Sequence, residues 1–180
     1  MLPDGRVVFG NLVSGYPSAL ADSDMASMSN FFAGNYEMSF RCSKDALVFY
    51  ESSQNAIEKL HLTVPNEIPK STIEDMYARA AYSAVQLFLD KHEPGYANVA
   101  YRLESKALAI TNSLRNKVAF GWTAIFVERS DEAKQAFAWA AQDETNGNER
   151  IKLQLMSAST DLWINKIKAL SKMQTVAPPR

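Results

Sequence analysis

Only one cysteine, Cys42, occurs in the 180 residues, so no disulfide can close within the chain. No Asn-x-Ser/Thr acceptor is present. The start, Met1-Leu2-Pro3-Asp4-Gly5-Arg6, lacks the basic opening and apolar stretch of a secretory leader. These absences point to a reducing setting, either the cytoplasm or a particle assembled there. No apolar run approaches the ~20 residues that cross a bilayer, so no membrane partner is expected.

Groups that carry chemistry are equally scarce. Glycine-rich nucleotide loops, a Gly-Lys-Ser/Thr phosphate loop and a Gly-x-Ser-x-Gly elbow are all missing. There are two histidines and no second cysteine, which is a poor zinc inventory. Glu58-Lys59-Leu60-His61 has the Glu-x-x-His spacing of di-iron bundles. Those sites need a second such pair and two further glutamates, and His92 has Leu89 three positions earlier. No metal and no cofactor is expected, and the chain reads as non-enzymatic. An enzyme would require Glu58, His61, Asp75 and Glu104 to converge inside the fold. Cys42 precedes a proposed helix cap at Ser43, a place where a thiol can be activated. A small buried hydrophobe is the commoner role for a lone cysteine.

What is present is ordinary for one folded domain: 47% apolar and 22% charged residues. The apolar spacing is helical. Ser43 to Leu60 forms one predicted helix. Ser71-Thr72-Ile73-Glu74 has the pattern of a capping box, opening a second helix that Glu93-Pro94-Gly95 stops. From Tyr96 to Ile125 a period near 3.6 predicts one long helix, with a bend at Gly121. Ser130, followed by Asp131 and Glu132, starts a fourth helix that Asn146-Gly147 ends. The fifth, from about Asn148 to Met173, presents Ile151, Leu155, Ala158, Leu162, Trp163, Ile167 and Leu170. The expected fold is all-α: a single helical bundle of about five helices over 41–173. An extended N-terminal arm with short local structure (1–40) precedes it, and an extended tail (174–180) follows. Within the arm, Asp22 to Phe32 could form a short helix. Phe31 and Phe32, adjacent and large, must point different ways, so one is expected to anchor the arm on its own domain or on a neighbouring copy.

Charge is blocked along the chain. Residues 1–75, 76–127, 128–149 and 150–180 carry −5, +3, −4 and +5, under a total of −1. Signed faces steer encounters and set register between partners. Arg102, Lys106, Ser113 and Lys117 fall on one stripe of the predicted long helix, with Arg115 at its far end. Lys166, Lys168 and Lys172 add positive charge on the last helix. Together they outline a basic groove suited to single-stranded nucleic acid. The expected function is that of a structural or assembly subunit, self-associating and coat- or nucleocapsid-like, with nucleic acid in that groove. The alternative is a helical adaptor, chaperone or regulatory protein that binds a protein partner.

Overall fold

The computed structural model describes residues 20–59, 61 and 68–175, with side chains of the last helix described as far as Leu170. All regular structure among the described residues is α-helical. Helix α1 covers 20–32. It is followed by α2 (Tyr36–Lys59), α3 (Lys70–Lys91), α4 (Pro94–Ile110), α5 (Leu114–Phe126), α6 (Ser130–Asp143), α7 (Gly147–Ala158) and α8 (Thr160–Thr175). The all-α class holds, but the described residues form eight helices where about five were expected.

Each extra helix has a local cause. Of the segment 1–40, residues 1–19 lie outside the described residues. Residues 20–40 form α1 and the first turn of α2, and Leu20, Ser27 and Ser39 are buried there. The expected helix over 96–125 is broken at Thr111-Asn112-Ser113. Thr111 is extended, and the Ser113 hydroxyl caps α5 by accepting from the Asn116 amide at 3.2 Å. The expected last helix is interrupted at Ser159. There the Ser159 and Thr160 hydroxyls bond back to the carbonyls of Leu155 and Met156, the arrangement that bends helices.

Three helix-start expectations are also corrected. Ser43 is not a cap, because α2 starts seven residues earlier, where Asn35 Oδ1 accepts from the Met38 amide at 3.2 Å. Cys42 is therefore half-buried inside a helix, not at its N-terminus. The Ser71–Glu74 capping box does not form. Pro69 leads into α3 with its carbonyl accepting from Thr72 and Ile73, and Glu74 accepts instead from Asn116 Nδ2 at 2.8 Å.

The helices pack largely in chain order, α2 on α3, α3 on α4, α4 on α5, α5 on α6 and α6 on α7, while α8 folds back on α5 and α6. Small residues allow close approach at the N-terminal end. Ser27, Ser39, Ser43 and Ser83 form a buried hydroxyl cluster joining α1, α2 and α3. The result is two hydrophobic cores. One gathers Leu20, Ala46, Leu47, Ile73, Met76 and Tyr77. The other gathers Ile125, Ala133, Phe137, Ala140, Leu153 and Ile164. Gly121 lies inside an unbroken α5. It lets the Phe137 ring lie against the α5 backbone, where a Cβ would come within 2.7 Å of the ring.

Candidate functional site

The basic residues expected to share one groove are divided by the fold. Arg102 and Lys106 stay together, one turn apart on α4. With Lys44 they line a groove of about 580 Å³ between α2 and α4, beside Phe40 and Tyr96, which meet edge-on at 5.9 Å. Lys106 binds the Glu51 carboxylate and lies 5.7 Å from the centre of the Tyr77 ring. Burial pushes the Glu51 carboxyl up, but hydrogen bonds from Lys106 and Tyr77 outweigh it and hold it below the usual range. Arg115 points elsewhere, paired with Asp75 of α3 at 2.8 Å. Lys117 is buried and pairs with Asp143, tying α5 to α6. Ser113 caps α5. On α8, Lys166 stands 5.2 Å over the Trp163 ring and Lys168 pairs with Glu128 at 2.8 Å. The Lys172 side chain lies outside the described residues.

The two adjacent aromatics meet edge-on at 5.8 Å but differ in what else they touch. Phe31 packs against Tyr36 and Tyr82 at 5.9 and 5.3 Å, whereas Phe32 is 80% exposed. Met25, Met28 and Met38 are exposed on the same two helices.

A second apolar surface stands on α7 and α8. The side chains turned to the core are Leu153, Met156, Thr160, Ile164 and Ile167. Helical spacing places Ile151, Leu155, Ala158 and Leu162 on the opposite side. They are exposed, Ile151 at 55%, Leu155 at 63% and Leu162 at 61%. The apolar face read from the sequence for the last helix is thus mostly the outer one. Of it, Ile167 packs on the core and Trp163 meets Trp122 at 5.8 Å.

Between the two cores lies a cavity of about 790 Å³. Its walls include Phe31 from α1, Tyr82 and Val85 from α3, and Val118, Trp122 and Phe126 from α5. Three buried polar side chains line it, Glu104, Asn116 and Thr123, and the Thr123 hydroxyl donates to the Phe120 carbonyl at 3.0 Å. Glu104 of α4 is 4% exposed, and its Oε2 finds no partner among the described residues. Asn116 spends its Nδ2 on Glu74 and on the carbonyls of Ala107 and Thr111, at 2.8, 3.3 and 2.8 Å. Its Oδ1 is likewise unpartnered among the described residues. Burial raises the Glu104 carboxyl to about 8. Arg115 opposes the shift and Glu74 adds to it. A carboxyl between Ala100, Leu103 and Ala107, on the apolar side of α4, was the sequence signal for this feature.

Glu58 is exposed near the end of α2, and His61 just beyond it is exposed with positive φ. Among the described residues no group of three or more His, Cys, Asp or Glu side chains is placed to hold a metal ion. None of the described helices is long and apolar enough to cross a membrane. No family model, no curated protein and no solved structure matches the chain.

Proposed function

We propose that this protein is a non-enzymatic assembly subunit that associates head to tail with copies of itself. The observation that carries the reading is the outward apolar face of α7–α8, Ile151, Leu155, Ala158 and Leu162, on a helix pair whose other side already fills a core. Charge argues for the occupant. The helices around that face hold Arg150, Lys152, Lys166, Lys168 and Lys172 against Glu149 and Asp161. A symmetric contact would set like charge on like charge, which is unfavourable. At the other end of the packing order, α1 and α2 hold Asp22, Asp24, Glu37, Asp45, Glu51 and Glu58 against three bases. That end also exposes Met25, Met28, Phe32 and Met38. Unlike ends in contact build closed rings or open filaments.

Light scattering after size exclusion tests this directly. The native protein should grow in mass with concentration. Leu155→Asp with Leu162→Asp should return it to monomer, without loss of helical signal, because both side chains are exposed. A native chain that stays monomeric at every concentration overturns self-association and favours the adaptor reading, with a different protein on the same face.

A second reading concerns single-stranded nucleic acid, and the α2–α4 groove supports it. Lys44, Arg102 and Lys106 supply phosphate partners, and Phe40 and Tyr96 supply rings for bases to stack on. Arg102→Glu with Lys106→Glu should weaken retention of a single-stranded oligonucleotide. It should also flatten the salt dependence by about one unit of slope per lost phosphate contact. An unchanged slope removes this reading and leaves assembly intact.

A further inference from the structure

We infer that the cavity between the two cores is a binding site for a small apolar amine, whose ammonium group is held by Glu104 and Asn116. The walls set the body of the ligand. Phe31, Tyr82, Trp122 and Phe126 offer ring faces and edges, and Val85 and Val118 fill between them. A volume of about 790 Å³ lies within the range of roughly 300–1,000 Å³ found for small-molecule sites.

The polar end follows from what is unpartnered. Glu104 Oε2 and Asn116 Oδ1 are both oxygens, both buried and both without a donor among the described residues. Such groups are costly unless something pairs with them. With Glu104 ionised, these two oxygens are acceptors lining an aromatic pocket, and they select a molecule that donates at least twice from one atom. A primary ammonium does this and adds a cation to face the carboxylate. A carboxylate or phosphate offers no donor to the Asn116 oxygen and brings no cation to the Glu104 carboxylate.

Other charges near the cavity are already engaged. Asp75 and Arg115 pair with each other, Arg79 pairs with Asp24, and Glu74 accepts from Asn116. Tyr82 is the remaining titratable group in the lining. Glu104 therefore has no competing cation bound to it. Because its carboxyl is held protonated up to about pH 8, binding at neutral pH releases one proton. The ligand nitrogen keeps its three protons, and the Glu104 proton goes to solvent.

Calorimetric titration of the full chain at pH 7 with 2-phenylethylamine and with 3-phenylpropanoate tests the site. The amine should bind saturably and the acid should not. Repeating the amine titration in buffers of different ionisation enthalpy should show proton release. Glu104→Gln keeps the shape and removes the charge, so it should weaken amine binding at least tenfold and abolish the release. Ala119→Leu, which adds bulk to the cavity lining from α5 and leaves Glu104 in place, should also weaken it. Absence of saturable amine binding up to millimolar concentration overturns the proposal. So does equal binding of amine and acid, or native affinity in Glu104→Gln.

Discussion

Gly121 shows how a single missing Cβ can set the packing of a whole core. Phe137 is fully buried, and its ring occupies the space a side chain at 121 would need. The ring cannot retreat, because Trp122 packs edge-on against it at 5.8 Å. Gly121→Ala normally favours a helix by about 1 kcal/mol. Here the clash opposes that gain, and overpacking of a filled core costs typically ~1–3 kcal/mol. The expected result is a net loss of stability, read as a lower denaturant midpoint with unchanged slope. Gly121→Ala together with Phe137→Leu should recover part of it, since the smaller side chain vacates the contact. A more stable Gly121→Ala protein would mean that the ring does not press on α5 as described.

At the scale of elements, some local punctuation is legible in the sequence and some misleads, the Ser71–Glu74 capping pattern above all. His92 and Glu93 separate α3 from α4, Pro94-Gly95 begins the first turn of α4, and Ser130 with Asp131 and Glu132 opens α6. The break at 111–113 was hidden because Ile110 and Leu114 keep a four-residue interval across it, so the apolar period continues while the chain turns. The break at Ser159 was hidden for a similar reason. Backbone bonds from Ser159 to Leu155 and from Trp163 to Ser159 carry the helical ladder through the bend. On α7–α8 periodicity was detected, but it cannot tell which of two apolar faces meets the core. Thr160 is fully buried and lies on the inner one. The basic residues illustrate a different limit. Lys106, Arg115 and Lys117 pair with Glu51, Asp75 and Asp143, which are 55, 40 and 26 residues away in sequence. Helical spacing places cations on faces but is silent about carboxylates brought in from other helices. The cavity is non-local in the same sense, since α1, α3, α4 and α5 must converge before Glu104 has walls around it.

For the whole molecule, Glu104 ties stability to pH through the seam between the cores. Its carboxyl is raised from 4.5 to about 8, first by burial and secondarily by Glu74, with Arg115 acting against both. Below pH 4.5 the group is protonated both folded and unfolded, and it contributes no pH dependence. Between 4.5 and about 8 the folded protein holds a proton that the unfolded chain releases. Stability from this group is therefore lost as pH rises through that window, and the penalty is complete above it. A shift of this size corresponds to a cost on the order of a few kcal/mol at alkaline pH. The charges facing Glu104 do not reverse the sign. Asp75 and Arg115 neutralise each other, Arg79 is occupied by Asp24, and Glu74 is itself an acid. Glu51, Glu132 and Asp161 are shifted the other way, down, and lose their contribution only under acid conditions. Glu104→Gln separates the two effects. Denaturant unfolding of the native chain and of Glu104→Gln should give similar stabilities at pH 5 and diverge steadily to pH 9, with the glutamine protein the more stable. If α1–α4 and α5–α8 part along the cavity when the carboxyl ionises, hydrogen exchange at pH 9 should rise first in α4 and α5, which flank it. Parallel stability curves for the two proteins from pH 5 to 9 would show that Glu104 titrates as an ordinary surface acid and that the seam stays wet at every pH.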